Sequence, residues 1–363
     1  MFLKKITENL RSFFTIFAVL TAVLLYSANT TNAQRGTYLD FTGDNKSDWA
    51  LRSDPTATGT PISWKILRNP ASPVPNQAFI RIVNFGVTGT DVPTPRDFIG
   101  DSKTELAVYR PGTAGLFFVA PFPEGTGGVI IDRVIQFGRG GAGTITDDNP
   151  DATGDYDGDG KIDYAVSRIN TTTLRMTYYI MSSATGTMSQ VDFGLPPFTG
   201  SVQLRVFNGA DFNGDGRDEL VLALIAENGD VTWSAGDAIT GAEMIRLQFG
   251  NFDTDYIITP ANYTGDSRAD FVVFRATLNP GVWFINDTAT NTTTATQFGI
   301  GSPTFAGNDF PIRGDYDGDG RQDIAVYRNS NNTFYVLQSS NGGQNGQTWG
   351  GTGDTPLGRI GTF

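Results

Sequence analysis

Residues 155–167 read DYDGDGKIDYAVS, and residues 315–327 read DYDGDGRQDIAVY. Each opens with four carboxylates and two glycines in nine positions, then runs straight into apolar, β-branched residues. Carboxylates this close repel one another unless something neutralises them, and the run that follows is that of a buried strand. A nonapeptide in the same frame starts six times, at Asp40, Asp97, Asp155, Asp211, Asn262 and Asp315. The starts are 57, 58, 56, 51 and 53 residues apart, which marks a repeat protein.

The rest of the unit recurs with it. After each nonapeptide comes an apolar strand, from WALR at Trp49 to IAVYR at Ile324. A second strand is led by Trp64, Phe117, Tyr178, Trp233, Trp283 or Phe334. A third ends in an aromatic residue and glycine: Phe85-Gly86, Phe137-Gly138, Phe193-Gly194, Phe249-Gly250, Phe298-Gly299 and Trp349-Gly350. One short extended segment, often after Asp-x-Pro, precedes the next nonapeptide. Four short strands cannot bury both faces of their sheet alone, so the copies must stack, and radial stacking makes an all-β propeller. Residues 34–363 give six four-stranded blades of 55 residues each. A seventh blade would have to lack every marker. Either Gly353–Phe363 or Arg35–Leu39 is able to supply the innermost strand that closes the ring.

Composition narrows the chemistry. The 363 residues include 26 Lys+Arg, 38 Asp+Glu, no His and no Cys, for a net charge of −12. This excludes His-dependent nucleophiles, thiolate metal sites and disulfides, and the acidic balance speaks against nucleic acid as a partner. Residues 1–33 carry Lys4, Lys5 and Arg11, an apolar run of 14 from Phe13 to Tyr26, and small residues up to Ala33. They read as a signal peptide cleaved near Ala33, the run being short of the ~20 residues of a membrane span. The mature chain, residues 34–363, is then exported to the periplasm, the cell surface or the medium, with no membrane span of its own.

The loops are the candidate chemistry. Alternate carboxylates with one backbone carbonyl make an all-oxygen cage suited to Ca²⁺. An EF-hand would place Glu at position 12, where this chain has Val166, Leu222 or Val326 inside a strand. Two sets are complete: Asp155, Asp157, Asp159, Asp163 with the carbonyl of Lys161, and Asp315, Asp317, Asp319, Asp323 with that of Arg321. A third keeps oxygen ligands in Asp211, Asn213, Asp215, Glu219 and the carbonyl of Arg217. Three copies have lost the third-position ligand to Thr42, Ile99 or Thr264, and a glycine hinge to Asn45, Ser102 or Ser267. Their remaining acids and amide, Asp40, Asp44, Asp48, Asp97, Asp101, Glu105, Asn262, Asp266 and Asp270, are expected to form weak sites or plain turns.

The repeated D-x-[DN]-G-D-G-x-x-D, with a strand after it and Phe-Gly later in the unit, resembles the FG-GAP/VCBS repeats of integrin α-subunit propellers and of secreted bacterial proteins. The resemblance spans essentially the whole mature chain. It implies a propeller whose acidic loops join the two inner strands of each blade and hold structural calcium, while protein or glycan partners bind elsewhere.

Other repeated residues read as architecture. Arg110, Arg168, Arg275 and Arg328 hold the fourteenth position of their copies and suggest an Arg–carboxylate bridge between blades, an anion site being the alternative. The strand aromatics read as core, sugar stacking being the alternative. The expected function is a non-catalytic binding or adhesion module using the irregular segments Gly138–Asn149, Gly194–Gln203, Gly250–Thr259 and Gly299–Asp309, with Phe198, Phe252, Tyr256 and Phe305. A structural cell-surface component is an overlapping possibility. The rival is a carbohydrate-active enzyme using loop acids such as Asp147, Asp148, Asp253 and Asp309.

Overall fold

The computed structural model describes residues 36–53, 57–69, 80–123, 127–139, 148–173, 175–194 and 203–358. The leader up to Ala33, Arg35, Asp147, Phe198 and the tail from 359 lie outside the described residues.

Each repeat becomes one antiparallel sheet. The first holds β1 (Trp49–Ser53), β2 (Pro61–Leu67) and β3 (Ile80–Val87). The second holds β4 (Val92–Pro93), β5 (Leu106–Arg110), β6 (Leu116–Ala120) and β7 (Arg133–Gln136). The third holds β8 (Tyr164–Asn170), β9 (Arg175–Met181) and β10 (Met188–Phe193). Next come β11 (Gln203–Ala210), β12 (Glu219–Ile225), β13 (Asp230–Gly236) and β14 (Glu243–Asn251), then β15 (Asp255–Ala261), β16 (Asp270–Arg275), β17 (Val282–Asp287) and β18 (Thr292–Gln297). The sixth sheet holds β19 (Phe310–Ile312), β20 (Ile324–Arg328), β21 (Thr333–Leu337) and β22 (Gln344–Thr348), and β23 (Asp354–Pro356) ends the series. Among the described residues there is no α-helix.

Two details go beyond the sequence. β23 pairs with β1 through Leu51–Pro356 and Ser53–Asp354, so the C-terminal segment closes the first blade. Leu39 instead joins the core beneath that blade. The third sheet has three strands, not the expected four. Its innermost strand shrinks to a bridge between Asn149 and Ser167, because Pro150 opens a 3₁₀ turn and offers no N–H to a ladder.

The ring is closed by a belt of backbone hydrogen bonds at the acidic loops. The eighth residue of each loop donates its N–H to the first carbonyl of the preceding loop: Thr104 to Asp40, Ile162 to Asp97, Asp218 to Asp155, Ala269 to Asp211, Gln322 to Asn262. Ser47 donates to Asp315 at 2.7 Å and completes the circle. Six blades close the wheel, leaving no place for a seventh.

Burial follows the strand position. β12 is buried at every residue, as a strand covered on both faces must be, whereas the outer β18, TTTATQ, is almost wholly exposed. The six lead aromatics, Trp64, Phe117, Tyr178, Trp233, Trp283 and Phe334, are core residues between blades, each at most 1% exposed. The second loop residue is a further aromatic that the sequence reading passed over. Phe98 stacks on Tyr164, Tyr316 on Trp49 and Phe212 packs on Phe271, each across a blade boundary. The glycine after the outer-strand aromatic has φ between +86° and +102° in all six copies. A Cβ at Gly86 or Gly250 would come within 2.9 or 2.7 Å of Val108 or Val273 of the next blade, so only glycine fits.

The repeated arginine forms a clamp within a blade, which corrects the bridge expected between blades. Arg110 grips Asp91 at 2.6 and 2.7 Å, Arg275 grips Asp255 and Arg328 grips Asp309, each bidentate, and Arg168 meets Asp148. The pairing follows from register, since the Asp starts the inner strand opposite the arginine that ends its neighbour. Each guanidinium also lies over an aromatic of β6, β9, β17 or β21, namely Phe118, Tyr179, Phe284 or Tyr335, at 4.3–4.8 Å. The same carboxylates accept the N–H that follows the aromatic-Gly pair, from Val87, Arg139, Asn251 and Ile300. In the first blade Ser53 and Lys65 take the place of arginine against Asp354. In the fourth, Leu204 faces Leu224 in the equivalent register.

Candidate metal centres in the acidic loops

Each loop leads into the second strand of its blade, β1, β5, β8, β12, β16 or β20, and all six lie on one face of the wheel and share one wiring. The first residue takes the N–H of the fourth: Gly43, Gly100, Gly158, Gly214, Gly265 and Gly318 donate at 2.6–2.8 Å. The fifth takes the N–H of the seventh, as Asp159 does from Lys161 and Asp319 from Arg321. The ninth takes the N–H of the second, as Asp163 does from Tyr156 and Asp323 from Tyr316. Backbone donors therefore hold the carboxylates in place in every copy, degenerate or not. The hinge expected to be lost with glycine is also kept, because Asn45, Ser102 and Ser267 adopt φ of +63°, +65° and +71°.

Position three separates the loops. Asp157 and Asp317 bring a second negative charge beside the ninth residue, and Asp155, Asp157 and Asp163, like Asp315, Asp317 and Asp323, each contribute an oxygen to a group within 4.8 Å. Asp159 and Asp319 stand outside these groups, and Asp319 is paired with Arg321. In two degenerate loops and the Asp211 loop, position three is instead a neutral donor. Thr264 gives its hydroxyl to Asp270 at 3.1 Å, Thr42 gives a long bond to Asp48, and the Asn213 amide donates to Glu219 at 2.9 Å and to Asp215. Asp211, Asp215 and Glu219 accordingly do not assemble into such a group. Asp97, Asp101 and Glu105 do, although Ile99 holds position three.

The electrostatics agree. Burial, with a further push from Asp157 on the former and Asp317 on the latter, raises Asp163 and Asp323 to about 7. Glu105 and Asp48 are raised to about 8 and Asp315 to about 6, again by burial first. Desolvated acids that form no ion pair among the described residues fit a hard divalent ion, and the donors are all oxygen. Neighbouring turns complete the enclosure: Ser182 Oγ donates to Asp157 at 2.8 Å and Ser340 Oγ to Asp317 at 2.7 Å.

The FG-GAP-like repeat family matches residues 155–222, from the first complete loop into β12. Residues 155–222 thus carry an FG-GAP-like repeat. A crystal structure of a candidate 6-phosphogluconolactonase from Bacteroides fragilis is 13% identical over 88% of this chain and 97% of that one, with a TM-score of 0.39. One from Bacteroides uniformis is 12% identical over 86% and 97%, with a TM-score of 0.38. The Dos1 propeller is 12% identical over 83% and 75%, with a TM-score of 0.34. No curated protein matches the chain.

Of the carboxylates considered for catalysis, Asp148, Asp253 and Asp309 are among the described residues. Asp148 and Asp309 are held by Arg168 and Arg328, while Asp253 is exposed in the turn between β14 and β15. The Gly250–Thr259 segment is mostly strand rather than the irregular loop expected, with only residues 252–254 between β14 and β15. Tyr256 packs edge-on against Phe305 and Phe310, leaving Phe252 as the exposed aromatic among the described candidates, with Arg205 lying 5.8 Å from its ring centre.

Proposed function

We propose that the protein is an exported, calcium-stabilised propeller acting as a non-catalytic binding or adhesion module for a protein or glycan partner. The observation that carries the calcium reading is the pair of three-carboxylate groups at Asp155–Asp157–Asp163 and Asp315–Asp317–Asp323, whose first and ninth residues are buried and whose ninth residue forms no ion pair among the described residues. Bound calcium would supply the missing positive charge. Asp155, Asp157, Asp163 and their counterparts would hold it, and the backbone N–H groups and the turn serines would keep those carboxylates oriented. Because the same loops form the hydrogen-bonded belt, an ion there stiffens the junctions between blades. The opposite face carries the blade-to-blade connections, which differ in length while the scaffold repeats. It includes a cavity of about 370 Å³ lined by Gln203, Ile225, Glu227, Phe252 and Asp253. An exposed ring beside polar side chains is suited to a sugar or a peptide.

The test is a calcium titration of the purified mature chain, followed by binding to a glycan array and to surface extracts with and without calcium. Two tight calcium sites and retention of a partner without turnover are expected. No calcium binding, or polysaccharide cleavage, would overturn the reading.

A further inference from the structure

A second cluster of uncompensated charge lies at the axis of the wheel, and it is positive. Arg96 follows the inner strand of the second blade and Arg313 that of the sixth. Both guanidinium groups lie over the ring of Tyr38, with Cζ 4.6 and 4.9 Å from its centre. The four clamp arginines all meet carboxylates, so acids were available to a chain of net charge −12. Yet among the described residues neither Arg96 nor Arg313 has an ion pair, and Arg313 Nε is buried with no hydrogen-bond partner.

Arg313 is within electrostatic reach of Arg96, Tyr38, Tyr263 and Asp218, which belong to the second, first, fifth and fourth blades. Only the axis of a six-bladed wheel lets groups from so many blades meet. Burial, and then Arg96, lower the Arg313 guanidinium to about 10. The Tyr263 hydroxyl is a third donor there: the residue is 6% exposed and the hydroxyl has no partner. Two carboxylates share the neighbourhood. Asp218 accepts the Asp155 N–H at 2.7 Å, and Asp151 is in electrostatic reach of Arg96, but neither forms an ion pair with Arg96 or Arg313.

We propose that this axial cluster binds a small multivalent oxyanion between Arg96 and Arg313, with the Tyr263 hydroxyl as an additional donor. Guanidinium forks match the paired oxygens of phosphate, sulfate and carboxylate groups, and a ligand bearing such a group would satisfy the donors left unpaired. The inference does not depend on calcium at the rim.

The experiment measures melting temperature and calorimetric binding with sodium sulfate, sodium succinate and methyl phosphate in separate arms. Sodium chloride at matched ionic strength is the control, and calcium is held constant. At least one arm is expected to stabilise the protein saturably at one anion per chain, and the arms identify the preferred group. R313M and R96M are each expected to weaken that binding about tenfold or more, the worth of one charged hydrogen bond. In the absence of the anion, R313M should melt no lower than the parent, since it removes an unpaired buried charge; a merely structural arginine would give the reverse. Stabilisation no greater than chloride gives in every arm, or unchanged anion binding in R96M, would overturn the proposal.

Discussion

Asp309 and Asp323 are both completely buried, and they flank the two ends of one strand, β20. Asp309 accepts two bonds from Arg328 at 2.8 Å and one from the Ile300 N–H. Asp323 accepts the N–H groups of Tyr316 and Ser339 at 2.7 Å, forms no ion pair among the described residues, and shares its surroundings with Asp315 and Asp317. Burial is the same and the residue type is the same. What differs is the counter-charge, and with it the role: the compensated carboxylate fastens strands, while the group without an ion pair is the proposed place for an ion. The contrast repeats at Asp148 and Asp163 around β8.

The strongest way to break this comparison is to remove the ion. If both complete loops bind calcium at a hundredfold excess over Kd, chelation costs about 5 kcal/mol, or roughly 2.7 per site, and scanning calorimetry should record a fall of many degrees. An unchanged melting curve would leave the acidic face without its distinguishing chemistry. Asp309→Ala attacks the other face. It strands Arg328, whose side chain is 22% exposed, so the loss should be about 2–3 kcal/mol, below that of a fully buried pair, and should be the same with or without calcium. A calcium-dependent loss there would contradict the division of labour.

Asp317→Thr copies the third position of the degenerate loops. It should fold, keep the belt, and lose about half of the calcium-dependent stabilisation, with one fewer ion per chain by calorimetry. Acidity gives a smaller effect. In chelator, Asp163 and Asp323, raised from 3.8 to about 7, keep protons in the folded chain that the unfolded chain has released. The calcium-free protein should therefore become more stable as pH falls from about 8 towards 5, and calcium should flatten or reverse that slope. Denaturant titrations at several pH values would read it directly. The smallest effect expected is from Ser267→Gly, which relieves a positive φ at some entropic cost and should stabilise by about 1 kcal/mol or less.

The six nonapeptides, the following apolar strands and the aromatic-Gly pairs determined the repeat, the blade and the number of blades by themselves, because period and alternation are local properties of a chain. Candidate ligands at Asp155 and Asp315 were legible for the same reason: all members of each set fall within nine residues. Contacts between distant positions were not legible. Nothing near Arg328 in sequence names Asp309, 19 residues earlier, as its partner, since that choice belongs to strand register. Glycine's replacement by Asn45, Ser102 or Ser267 looked like a lost hinge, but backbone bonds to the neighbouring loops and blades hold the same conformation. The closing of the first blade by β23, and the meeting of Arg96 with Arg313 on Tyr38, were decided only by the tertiary structure. Both join residues hundreds of positions apart, and only the closure of the ring brings them within reach.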